Sequence, residues 1–317
     1  MRPRDPAPVP DPEPLGPSQL LPAATLDVDP ARDGASRSPG QLFRRRFRRH
    51  RLALVSLGVL IGLCVVCFGA PLFAPYARDG QDLALGAVGP SWHHWFGTDE
   101  LGRDELTRLL YAGQISLEIG LAVAALSTLV GVAIGAVAGF VGKATDQVLM
   151  RVTDLFLVLP ALAVLALALA KFGHDSFTII WVLAALFWMY VARVVRAQVL
   201  VIREQEFVEA ARASGASGPW IVVRHVLPNC VGPIVVNATL AVAAAIVAES
   251  SLSFLGFGVQ LPATSWGRMI SDAEGYVGTS HAYLLYFPGL AILLTVLAVN
   301  FLGDGLRDAF DPTSEAT

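Results

Sequence analysis

One acid beside two small residues, Glu209-Ala210-Ala211, stands at fixed distances from Gly215 and from His225-Val226-Leu227-Pro228. Three residues separate the alanine pair from Gly215, and nine separate Gly215 from His225. Arg203, Glu204, Glu206, Glu209 and Arg212 lie among good helix formers. Gly215 can take the positive φ that ends a helix. Ser217-Gly218-Pro219 then reads as a cap followed by proline at the first helical position. A second short helix, about Pro219 to Val226, would present Trp220, Ile221 and Val223 on an apolar side. Pro228 is expected to stop it, because proline lacks an N–H and restricts Leu227. Residues 203–228 are thus predicted to form a helix–turn–helix between two apolar runs.

Other residues could carry chemistry, and their spacing argues against it. Cys64 and Cys67 form a C-x-x-C, a redox or metal signature in other settings. Here the pair sits within one turn of an apolar helix, and small packing residues explain it better. His93-His94 could suggest a metal, but Trp92 and Trp95 flank them and favour aromatic anchoring at a membrane surface. No metal site is expected. Gly142-Lys143-Ala144 is not a phosphate loop, since Val137 replaces the required glycine and Ala144 the required hydroxyl. His93, His94 and the neighbouring acids match no catalytic arrangement, so a membrane enzyme is not supported.

Composition defines the medium. Of 317 residues 54% are hydrophobic and 15% charged, where soluble domains carry about 25% charged residues. This is a membrane protein by composition. A net charge of −3 leaves no nucleic-acid footprint.

The elements follow in order. Residues 1–41 hold ten of the twenty prolines and are expected to be a disordered cytoplasmic tail. No apolar core follows its early arginines, so it is not a signal peptide. The block from Phe43 to Arg51 is strongly basic and precedes an apolar run, which places the N-terminus inside and favours anionic lipid headgroups. Spans are predicted at about 52–73, 115–141, 155–170, 177–195, 231–252 and 283–302. Between the first two lies an acid-rich outer loop with Gly97-Thr98-Asp99 and Gly102-Arg103-Asp104, where Thr98 or Asp99 can cap a helix. Gly131, Gly135 and Gly139 recur every fourth residue and form a ridge for close helix contact. Asn237 and Glu249 lie in the fifth span. A carboxylate at bilayer depth costs roughly 2.5–3.5 kcal/mol, so Glu249 should face protein or a wet cavity. It either lines a pathway or supports a gate, or is a buried acid bonded to a neighbouring helix or set at headgroup level. Ser253, Gly256, Gly258, Pro262 and Trp266 follow in a segment able to bend.

The Glu209-to-Pro228 pattern resembles the EAA loop of importer-type ABC transporter permeases. Three further blocks resemble the C-type subunit of the dipeptide and oligopeptide branch: FGTDELGRD (Phe96–Asp104), LSFLGFG with SWG (Leu252–Gly258, Ser265–Gly267), and GDGLRDAFDP (Gly303–Pro312). The resemblance covers residues 42–312; residues 313–317 are a short tail. It implies an all-helical, six-span type I importer fold with both termini cytoplasmic, in a bacterial inner membrane. It implies a coupling helix whose alanines allow close approach and whose Glu209 can meet an arginine of an ATPase, with Gly215, His225, Leu227 and Pro228 completing the loop. Asn237, Glu249, Ser253 and Trp266 become pathway or gate candidates. The chain itself is then not an enzyme and holds no cofactor; ATP and Mg belong to two partner ATPase subunits. A B-type permease, an extracytoplasmic solute-binding protein and a peptide substrate complete the machine. Another small solute, such as a nickel chelate, is the alternative cargo. An ion-coupled secondary carrier would instead need a relay of intramembrane acids or histidines and inverted repeats, and Glu249 alone offers little for that.

Overall fold

The structure, a computed structural model, describes residues 39–310. The expected disordered tail lies outside these residues except for Pro39–Gln41, which open a helix, and Asp311 and Pro312 of the last motif also lie outside. The compact unit begins at Phe43. The helices are α1 (Pro39–Arg49), α2 (Arg51–Phe68), α3 (Ala70–Phe73), α4 (Glu105–Val141), α5 (Lys143–Val158), α6 (Ala161–Phe172) and α7 (Ser176–Ile202). There follow α8 (Glu206–Ala213), α9 (Gly218–Ile221), α10 (Leu227–Asn229), α11 (Val231–Phe254), α12 (Trp266–Asp272) and α13 (Tyr283–Phe310). A π-turn, Val222–Val226, joins α9 to α10. Among the described residues there is no strand, only one isolated bridge between Thr98 and Asp104.

Among the described residues five helices, α2, α4, α7, α11 and α13, are long and apolar enough to cross a membrane. The third predicted span, about 155–170, is not one straight helix. α5 and α6 meet at an angle of 84°. Pro160 causes the break: it offers no N–H, and it holds Leu159 in extended backbone at φ −68°, ψ 136°. The first span also differs from expectation, since Gly69 divides residues 52–73 into α2 and α3. The second extends further back than 115, because the whole stretch from Glu105 is helical.

The centre of the bundle is the α4–α7 pair. A Cβ added at Gly131 would stand 2.7 Å from the Trp188 carbonyl, and one at Gly135 would stand 2.5 Å from that of Ala192. At Gly139 it would stand 2.8 Å from the Val199 Cβ. The glycine ridge therefore lets two backbones touch, as the spacing predicted. Ile119, Val123, Ile179, Leu183, Met189 and Ala192 fill the adjoining core. Many large apolar side chains remain on the outside, among them Leu129, Leu167 and Leu293, as a lipid-facing surface would require.

Candidate functional site

Two sets of predicted residues gather at opposite ends of α4. At about 1.5 Å per residue its 37 residues separate them by roughly 55 Å.

At the C-terminal end, the loop 203–228 folds as predicted in outline. α8 ends at Ser214, and Gly215 turns the chain with φ +82°. Ser217 stands at the N-cap position of α9 but makes no side-chain capping bond. Pro228 does not stop the second helix. The chain stays helical from Gly218 to Asn229 because the π-turn accommodates the missing N–H, with Leu227 donating five residues back to the Val222 carbonyl.

The loop is anchored to the bundle by one apolar stripe. Val208, Ile221, Val226 and Cys230 pack on Ala136, Val191, Val195 and Val199. Arg203 donates to the Gly139 carbonyl at 2.7 Å, and Arg212 lies over the Phe140 ring at 5.3 Å. Of the predicted apolar side, only Ile221 is buried; Trp220 and Val223 are exposed. Glu209 and Ala210 are exposed beside them, with Ala211 half-buried. His225 is half-buried and packs edge-on against Trp220, with ring centroids 5.1 Å apart. Pro228 is exposed and Leu227 half-buried. The outcome is a short two-helix platform, fixed underneath and apolar with acids on top.

At the N-terminal end of α4, the Gly97–Asp104 turn is a scaffold. Thr98 is fully buried, donating to the Gly86 carbonyl (2.7 Å) and accepting from Val88 N (2.9 Å). Gly97 and Gly102 take φ of +83° and +68°, and a Cβ at Gly102 would strike the Asp82 carbonyl. Neither Thr98 nor Asp99 caps α4. Asp104 does so, accepting from Thr107 N at 2.8 Å, and it also meets His94 Nδ1 at 2.9 Å. Asp99 instead binds Arg103 and Arg108. His93 lends its carbonyl to the Tyr76 hydroxyl. Tyr276 donates to Glu100, and that bond pushes its phenol up to about 12.

Glu249 is fully buried where α11 meets α12. Its Oε1 accepts from Ser253 Oγ (2.6 Å) and Ser265 Oγ (2.7 Å), while Oε2 has no hydrogen-bond partner. Ser265 also caps α12, accepting from Arg268 N. Trp266, likewise buried, donates its backbone N–H to Ser116 Oγ and its indole N–H to the Leu109 carbonyl. Gly258 and Gly267 make room for Ser253 and Ser250 respectively. The LSFLGFG and SWG motifs are thus two halves of one joint between α11, α12 and α4. Asn237 bonds back to Pro233 O on its own helix. In the sequence Ser265 stands out only as part of the SWG block, and Ser116 not at all. The capping position of Ser265 before Trp266-Gly267 was a usable signal, whereas Ser116 carried none.

The fold is that of a helical membrane protein with a two-helix loop packed on its central helix pair. Residues 131–315 match the family described as binding-protein-dependent transport system inner membrane component. Residues 38–87 match the N-terminal TM domain of oligopeptide transport permease C. The dipeptide transport system permease protein DppC of Bacillus subtilis is 43% identical over 268 residues, 84% of each chain. The oligopeptide transport system permease protein OppC of Escherichia coli K12 is 42% identical over 278 residues, 87% of this chain and 92% of that one. A solved structure of the MetNI methionine ABC transporter, inward facing, shares the fold with a TM-score of 0.54 at 19% identity. It covers 64% of this chain and 96% of that one. The chain belongs to the binding-protein-dependent transport system inner membrane component family, and is an ABC importer permease.

Proposed function

We propose that this chain is the C-type permease of a peptide importer, working beside a B-type permease, two ATPase subunits and an extracytoplasmic binding protein. The observation that carries the reading is the platform: Glu209, Ala210, Trp220 and Val223 exposed on a loop bolted to α4 and α7. Peptide as cargo rests on the similarity to DppC and OppC across most of the chain. The platform then faces the cytoplasm of an inner membrane, the Gly97–Asp104 turn faces outward, and residues 1–41 are a cytoplasmic tail.

ATP and Mg are held by the partner ATPases and supply the energy. Their closure moves α8 and α9, the apolar anchor passes the motion to α4 and α7, and the spans rock between inward and outward access. The drive exists only if the platform contacts the two ATPase states differently. At the other end, the Glu249–Ser253–Ser265 joint with Trp266 holds α12 against α11 as part of the outer gate; Asn237 lies on the gate helix below it. Glu209→Arg is expected to cut ATP-driven peptide uptake at least tenfold while the chain still inserts and folds. Normal uptake by this variant, measured with labelled dipeptide in proteoliposomes of the whole complex, would overturn the coupling assignment.

A further inference from the structure

A cavity of about 300 Å³ opens at the N-terminal end of α4, between the Asp99–Arg103 turn, α12 and the start of α13. Met269 and Leu284 give it apolar walls. Its charged lining is Asp99, Glu100, Glu105 and Asp272 against Arg103 and Arg108. Both guanidinium groups are committed. Arg103 holds Asp99 at 2.7 Å; Arg108 holds Asp99 at 2.8 Å and Asp272 at 3.4 Å. Arg268, from outside the cavity, holds Asp272 at 2.9 Å. Glu100 accepts the Tyr276 hydroxyl.

Glu105 is left over. Its side chain is 1% exposed, and Oε2 accepts no hydrogen bond. The closest cation, Arg108 Nη1, is 3.9 Å away, beyond hydrogen-bonding distance. A buried carboxyl group without a donor favours its proton, and a cation seated beside it lets it ionise. Among the described residues no group of three or more His, Cys, Asp or Glu is arranged to hold a metal ion. The cavity's apolar walls also suit an organic cation better than a hydrated one.

We propose that this cavity binds a primary ammonium group carried on a small apolar body, with Glu105 as its main acceptor and Asp272 at the rim. An ammonium offers three donors and can serve both carboxylates. The proposal deepens the import reading, since the amino end of a peptide is such a group. Its test uses a probe that is no peptide, so failure would remove the site and leave the import reading standing.

The probe is n-butylammonium, with n-butanol as the neutral control, followed by saturation-transfer NMR. The protein is the full chain in lipid nanodiscs with the subunits that accompany it. Saturable binding of n-butylammonium is expected, with n-butanol at least tenfold weaker and excess potassium ion unable to displace the amine. Glu105→Gln should weaken binding at least tenfold, and Glu118→Gln, on an exposed face of the same helix, should not change it. Asp272→Asn, at a less buried position, should weaken binding severalfold and serves if Glu105→Gln does not fold. Equal binding of butanol, displacement by potassium, or undiminished binding by both cavity variants would overturn the proposal.

Discussion

Four donors converge on the carboxylate of Asp99. Leu101 N and Arg103 N reach Oδ1 at 3.0 and 2.9 Å, and Arg103 Nε and Arg108 Nη1 reach Oδ2 at 2.7 and 2.8 Å. The group is 6% exposed, so little water competes for these bonds. Removing it leaves Arg103 without its partner and the buried Arg108 with only the longer bond to Asp272. Asp99→Ala is therefore expected to cost about 3–5 kcal/mol, the range for breaking a buried pair from one side. The ion pair Arg193–Asp154 is shorter, 2.6 Å, yet its side chains are 51% and 47% exposed. Its loss in Asp154→Ala should stay within about 0.5 kcal/mol, because water replaces the partner. Denaturant unfolding of the purified variants separates these outcomes; equal destabilisation would refute the burial argument.

Helix contact in this bundle is decided by where a methyl group has no room. A Cβ at Gly135 meets the Ala192 carbonyl and the Val195 Cβ, whereas one at Gly62 on α2 meets nothing within 4 Å. Gly135→Ala should push α4 from α7 and cost about 1–3 kcal/mol. Gly62→Ala should be neutral or slightly stabilising, since alanine is the better helix former. Melting curves of the two variants check the contrast, and an unchanged melting temperature for Gly135→Ala would refute it. The ridge was legible because a four-residue period is local information. So was the turn at Gly215, where the glycine is needed for its positive φ. The break at Pro160 is not legible in the apolar run 155–170, because a proline also occurs inside continuous helices such as α13, whereas here Leu159 turns extended and the axis bends by 84°. Pro228 was overestimated, because a π-turn absorbed it. The cap of α4 was placed on Thr98 or Asp99, which tertiary partners had already claimed. Arg108 and Asp272, 164 positions apart, meet through folding alone. Local pattern cannot reveal such a pair.

Across the whole molecule, one loop rests on the two most intimately packed helices. α7 is far more buried than α2, so the loop is seated on the centre of the bundle and not on its margin. The platform joins α4 and α7 through Val208, Ile221 and Val226, which face inward, and leaves Trp220 and Val223 facing out. These two classes of apolar residue should separate under mutation. Trp220→Asp with Val223→Asp places charge on an exposed surface and should leave the fold intact while abolishing recovery of ATPase subunits with the tagged chain. Val208→Asp buries a charge in the anchor and should destabilise the chain itself. Affinity purification in mild detergent, paired with a melting curve for each variant, reads both effects. If the exposed pair of substitutions left ATPase recovery unchanged, the outward face of the loop would not be the coupling surface, whatever the anchor beneath it does.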